Sequence, residues 1–135
     1  MRLLSASAFL IALSLLTTPA RAQAPERMSY QAVVRDANDA LVISSPIGMR
    51  ISVLQGSDTG PAVYVETHAA TTNANGLTTV EIGNGIAISG TIGAIDWTAG
   101  PYFLKTETDP GGGTAYSIAG TSPLMSVPYA LYAAN

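Results

Sequence analysis

The sequence predicts an all-β fold, a single antiparallel β-sandwich of immunoglobulin-like or transthyretin-like outline, and three observations lead there. Short runs of alternating apolar and polar residues recur along the chain, and a period of two suits a strand with one buried face. Clusters of Gly, Asn, Asp and Pro separate these runs at intervals of about ten residues, the spacing of turns in a sandwich. No segment after the first residues sustains a helical period. At 135 residues the chain has room for one domain.

The first element is not part of that domain. Met1–Arg2 is a short positive start, Leu3–Leu16 is apolar, and Ala20-Arg21-Ala22 is a small-x-small site. This is the pattern of a secretory signal peptide, and its apolar run is shorter than the roughly 20 residues that span a bilayer. Residues 1–22 are therefore expected to form a helical signal, cut between Ala22 and Gln23, with the product secreted or displayed at the cell surface. Residues 23–27 form a short lead, and the sandwich is expected over 28–128.

Met28, Tyr30, Ala32 and Val34 alternate with Ser29, Gln31, Val33 and Arg35, which predicts the first strand. Asp36-Ala37-Asn38-Asp39 ends it, because Asp and Asn side chains bond their own backbone in turns. After Leu41–Ser44, a second strand carries Met49, Ile51 and Val53 on one face, with Arg50, Ser52 and Gln55 outward or mixed. Ala62–Ala70 follows the Gly56–Pro61 loop, with Val63, Val65 and Thr67 opposite Tyr64, Glu66 and His68. Asn75-Gly76 is the preferred pair of a two-residue hairpin turn, so Ala62–Ala70 and Leu77–Ile82 are expected to pair as a hairpin.

Gly83–Gly100 predicts a loop with a short strand, Trp97 folding onto the edge of the core. Tyr102–Thr108 and Ala115–Gly120 are expected to pair across Asp109–Gly113, a flexible glycine-rich tip. Met125 and Val127 suggest a last short strand, and Tyr129–Ala134 a helical turn after Pro128.

Charge and composition narrow the function. Once Arg2 and Arg21 leave with the signal, Arg27, Arg35, Arg50 and Lys105 face nine acidic residues. An acidic chain without a basic cluster is unsuited to nucleic acid or to an anionic membrane surface. There is no cysteine, so the core must be stable without disulfides, and neither a thiolate nucleophile, a cysteine zinc site nor a lipid-bearing cysteine is available.

Catalytic patterns are sparse, and no enzyme activity and no cofactor are expected. His68 is the single histidine, and no serine sits in a nucleophile-elbow pattern. Glu66 lies two residues from His68 on the same strand face, an arrangement read as a solvated polar face. Glu66, Glu81 and Glu107 are strand carboxylates that a small hydrolase would need to bring together in a cleft. Asp36, Asn38 and Asp39 open like a calcium loop but lack its later glycine and glutamate, so a plain turn is expected. Tyr64, Trp97 and Tyr102 are the candidates for an aromatic sugar-binding surface, the alternative being the rim of the core.

Several phrases carry a resemblance: Ser29-Tyr30-Gln31-Ala32-Val33-Val34-Arg35-Asp36, Arg50-Ile51-Ser52-Val53-Leu54-Gln55-Gly56, Thr72-Asn73-Ala74-Asn75-Gly76-Leu77, Ile95-Asp96-Trp97, Gly100-Pro101-Tyr102-Phe103-Leu104-Lys105 and Ser126-Val127-Pro128-Tyr129-Ala130-Leu131-Tyr132-Ala133. Together they resemble the N-terminal module of secreted surface proteins of Bacteroidetes-type bacteria, which precedes tail-fibre-like, collagen-like or peptidase-like regions. The Thr72–Leu77 turn is also similar to one in transthyretin-like and carboxypeptidase-regulatory-like sandwiches, although Asp39 stands where their first turn has glycine. The resemblance implies a non-catalytic structural or adhesive module whose partner is a cell-surface protein or glycan. Tyr129–Asn135 is small and apolar, as expected of a tail that leads into a further region or packs against another copy, the alternative being a terminus docked on its own sandwich.

Overall fold

The computed structural model describes residues 26–125, so the signal, the cleavage site at Ala22 and Gln23, Val127 and the 129–135 tail lie outside the described residues. The fold is all-β. Among the described residues, seven strands run in the order β1 (Met28–Val33), β2 (Pro46–Gln55), β3 (Ala62–Thr71), β4 (Leu77–Ile82), β5 (Ile86–Ser89), β6 (Tyr102–Asp109) and β7 (Ile118–Pro123), with two short 3₁₀ turns, Ile92–Ala94 and Trp97–Ala99, before β6. They form a two-stranded sheet, β1-β4, and a five-stranded sheet, β5-β3-β2-β6-β7. Every pairing is antiparallel.

β2 is the centre of the large sheet because alternation places Ile47, Met49, Ile51 and Val53 on one face, each no more than 1% exposed. They meet Val80 and Ile82 of β4, Val34 just after β1, and Tyr64, Tyr102 and Leu104 from the neighbouring strands. Each such side chain contributes about 1.5–3 kcal/mol by leaving water. On β1, alternation is as expected, with Met28, Tyr30 and Ala32 facing inward and Ser29, Gln31 and Val33 outward. Ser52, expected outward or mixed, is buried on the opposite face of β2 beside Leu54.

Three expectations about the strands are corrected. β3 and β4 do not form a hairpin: β3 pairs with β2 and β5, whereas β4 pairs with β1 from Leu77↔Val33 to Ile82↔Met28. The connection is a change of sheet. Asn73 Oδ1 accepts the backbone N–H groups of Asn75 (2.8 Å) and Leu77 (3.0 Å), and Asn73 N–H donates to the Leu77 carbonyl. Only Gly76 has positive φ, at 74°, so the mirror-image turn that joins paired strands, with positive φ at both residues, is not formed. The turn is anchored instead to the segment before β2, through Ser44 N–H to Asn73 O and Thr72 N–H to Ser45 O.

The strand expected at Ala115–Gly120 begins later, at Ile118, and does pair with β6. Leu41–Ser44 contributes only an isolated bridge, Arg35↔Leu41. The third correction concerns faces. Tyr64, Glu66 and His68 point into the sandwich, because they are paired in register with Val53, Ile51 and Met49 of the inward face of β2.

If Asn73 holds the change of sheet, Asn73→Ala loses two side-chain hydrogen bonds and is expected to destabilise the domain by about 1–3 kcal/mol. Urea denaturation followed by circular dichroism measures this, with an unchanged m-value indicating that the fold itself is retained.

Candidate functional site

Glu66 is the most unusual residue of the interior: it is charged and has no exposed surface. β3 brings it there, and the Gly83–Gly85 connection between β4 and β5 closes over it. Tyr64 donates its hydroxyl to Oε2 at 2.6 Å. His68 Nε2 lies 2.6 Å from Oε1, and since an ionised carboxylate only accepts, that nitrogen carries the proton. Gly83 N–H reaches both oxygens at 3.0 and 2.9 Å, and Gly85 N–H reaches Oε2 at 3.3 Å.

Burial acts most strongly on Glu66 and opposes its charge, but the donors from Tyr64, His68 and Gly83, with the nearby His68 ring, outweigh it and hold the carboxyl below its usual range. Burial, then the bond to Glu66, raises the Tyr64 hydroxyl well above its ordinary value. Gly85 cannot carry a side chain here, because a Cβ would lie 2.6 Å from His68 Nε2 and 2.7 Å from the Thr67 carbonyl. Glu66 and His68 thus converge, but in the packed interior under the backbone rather than on a solvated face. The arrangement orders a connection; it presents no carboxylate oxygen to a substrate.

The other strand glutamates lie elsewhere. Glu107 is on the outer face of the large sheet, paired in register with Arg50. It contacts the Arg50 guanidinium and lies 3.3 Å from Lys105 Nζ. Its carboxyl is held low: burial opposes the charge, and the bonds from Arg50 and Lys105 outweigh it. Arg50 also stacks 4.6 Å over the Tyr116 ring, a cation–π contact. Glu81 is exposed on the small sheet, facing Arg27. Glu66, Glu81 and Glu107 do not share a cleft.

The aromatic candidates are also separated by burial. Tyr64 is 3% and Tyr102 5% exposed, and only Trp97 reaches the surface, at 38%. An exposed sugar platform made of all three is therefore not formed. Tyr64 is drawn inward by Glu66, and Tyr102 donates its hydroxyl to the Asp96 carbonyl inside the 3₁₀ segment. Trp97 packs edge-on against Tyr102 with centroids 5.2 Å apart. Beside them, Gln55, Val63, Thr91, Ala94, Ile95 and Tyr102 line a groove of about 280 Å³ at one end of the sandwich.

Asp36, Asn38 and Asp39 form an ordinary Asx turn. Asp36 Oδ1 accepts from Asn38 N–H (2.8 Å) and Ala40 N–H (3.0 Å), and Asp39 turns with φ of 60° towards Arg35. Among the described residues no three acidic or histidine side chains converge on a point that would hold a metal ion.

Sequence reasoning missed Asp109. Its carboxylate accepts N–H groups from Gly111 (2.8 Å), Gly113 (2.9 Å) and Ala115 (3.0 Å), and the bond from Gly111 contributes most to lowering its pKa. The glycine-rich β6–β7 connection is thus tied to a carboxylate at its root, not a free tip. The signal was present in Asp109-Pro110-Gly111, since an aspartate ahead of glycines bonds the backbone two residues on.

The chain belongs to a family described only as a domain of unknown function (DUF8740), whose model matches residues 29–121, from β1 into β7. Searches of curated proteins and of solved structures returned no match.

Because Glu66 has a lowered pKa, its contribution to stability is present above the ordinary glutamate value of about 4.3 and is lost as pH falls through the lower value of the folded state. Glu66→Gln is expected to cost about 2–4 kcal/mol at neutral pH, since donors arranged for an anion then face an amide. The variant should also lose stability less steeply than the parent on acidification, measured by urea midpoints from pH 6 downward. Parallel pH profiles would show that the Glu66 carboxyl does not titrate differently on folding.

Proposed function

We propose that the domain is a non-catalytic module exported to the bacterial cell surface, where it recognises or holds a partner through strand edges and loops. The observation that carries this reading is the contrast between two sets of groups. Glu66, Glu107 and Asp109 are each occupied by internal donors. The terminal strand β5 is exposed along its whole length, with Ile86 72% and Ile88 61% exposed.

From Gly83 to Ile95 there is no charged residue and no proline. Edge strands are ordinarily blunted by lysine, proline or a covering element, and one that lacks them can accept a further strand. β7, at the other end of the sheet, carries Pro123 and so offers a less continuous edge. The pattern of residues 1–22 supports export, and the resemblance of the Ser29–Asp36 and Gly100–Lys105 phrases supports a surface module that precedes a longer region.

Production in a bacterium with its leader intact tests both halves. The expected product begins at Gln23 by intact mass and is removed from whole cells by external protease, and an Ile88→Lys variant is exported equally but retains less partner in cross-linking of intact cells. A chain kept in the cytoplasm with Met1 in place, or hydrolysis of a glycan or peptide that depends on Glu66 or Glu107, would contradict the proposal.

A further inference from the structure

The connection between β4 and β5 is latched to Glu66 on both sides of one asparagine. Asn84 stands between Gly83, whose N–H reaches the two carboxylate oxygens at 3.0 and 2.9 Å, and Gly85, whose N–H reaches Oε2 at 3.3 Å. Asn84 itself is exposed, and its N–H donates to the Glu81 carbonyl at 3.1 Å. Gly85 is obligatory, because a Cβ there would lie 2.6 Å from His68 Nε2 and 2.7 Å from the Thr67 carbonyl. The latch therefore fixes glycine after Asn84, the one residue with no side chain to shield its peptide nitrogen from the asparagine amide.

We propose that Asn84 is a deamidation site that Glu66 holds closed, and that its modification keeps the latch from reforming. Once Gly85 N is released from Glu66 it can attack Asn84 Cγ. The N–Cγ bond forms, the Cγ–Nδ2 bond breaks, and the Gly85 amide proton leaves with Nδ2 as ammonia. Water then opens the cyclic imide. Addition at the Asn84 backbone carbonyl leaves isoaspartate, with the main chain routed through Cγ, and addition at Cγ leaves aspartate. Either product sets a new carboxylate between the two glycines that Glu66 binds, and like charges at short range repel. Isoaspartate also lengthens the connection by a methylene, so its two N–H groups no longer match one carboxylate. The change is one-way, and it falls at the entry to β5, which begins at Ile86.

The other Asn-Gly pair of the sequence, Asn75-Gly76, supplies the contrast. Asn75 is exposed as well, but its turn is closed by local bonds. Gly76 N–H donates to the Asn73 carbonyl at 3.0 Å, and Asn75 N–H donates to Asn73 Oδ1 at 2.8 Å. Glu66 takes no part in it. Opening of a turn held by a buried carboxylate and opening of a turn held by its own backbone are separate local events. Removing the Glu66 charge therefore exposes Asn84 and leaves Asn75 as it was, whatever β5 binds.

Incubation of the intact chain at mildly alkaline pH tests this. Cleavage after Glu81 and Glu107 separates Asn84, in Ile82–Glu107, from Asn75, and mass spectrometry follows the deamidated fraction of each. Asn84 is expected to deamidate about tenfold more slowly in the intact chain than in the isolated Ile82–Glu107 peptide. Glu66→Gln should speed Asn84 about tenfold and Asn75 less than about twofold. Val80→Ala, which loosens the core without touching the latch, should leave the ratio of the two sites as in the parent. Asn84→Asp, which is one of the two products, should speed amide exchange at Gly85 about tenfold, and Asn84→Ala should not. Equal rates for Asn84 in the chain and in the peptide would overturn the proposal. So would equal acceleration of both asparagines by Glu66→Gln, or a selective rise at Asn84 in Val80→Ala. Gly85 exchange that Asn84→Asp leaves unchanged, or that Asn84→Ala raises as much, would overturn the one-way character of the change.

Discussion

A carboxylate with no access to water must be supplied with donors or give up its charge, and the way Glu66 meets this requirement organises much of the domain. Its donors come from its own strand, through Tyr64 and His68, and from the backbone of the next strand connection, through Gly83 and Gly85. β3 lies in the large sheet and β4 in the small one, so the same group draws the end of the small sheet down onto the large one. It also sets where β5 can begin, since β5 starts at Ile86 immediately after the bonded Gly85. Hydrophobic burial against β2 is non-directional and would tolerate sliding of the layers. The carboxylate adds direction.

Three further aspartates follow the same logic on a smaller scale. Asp109 gathers the β6–β7 connection, Asp96 caps the turn that carries Trp97, and Asp36 closes the turn after β1. In a chain without disulfides, side-chain carboxylates bonded to backbone N–H groups take over the ordering of loops. Arg50, Lys105 and Glu107 neutralise one another on the outer face of the sheet. β5 and β7 carry no charged side chain.

Alternation made the strands legible before any coordinates. Met28–Val33 and the Met49–Val53 face follow from a period of two, and Asp109 through Gly113 follows from turn chemistry as a reversal between β6 and β7. The partner of each strand was not legible. The Asn75-Gly76 pair suits a hairpin locally, but β3 finds two better neighbours in β2 and β5, and the turn bonds to Ser44 and Ser45 far away in sequence. The polarity of Glu66 and His68 also misdirects, because alternation assigns faces only in pairs and polar residues are normally given to solvent. Here the donors that make burial tolerable come from glycine N–H groups in another segment, which no local pattern reveals. Tyr64 and Tyr102 were likewise ambiguous between surface and core until their hydroxyl partners were placed.

Amide hydrogen exchange at Gly83 and Gly85, measured by NMR on the intact domain, tests the central role of Glu66 most directly. Both N–H groups belong to a short turn without a strand partner, so only the buried carboxylate protects them. The account predicts that they exchange as slowly as core amides of β2, and that Glu66→Gln accelerates both selectively. Exchange at the rate of an open loop amide such as Ala74 in the parent protein would contradict it, and the layers would then be joined by apolar packing alone.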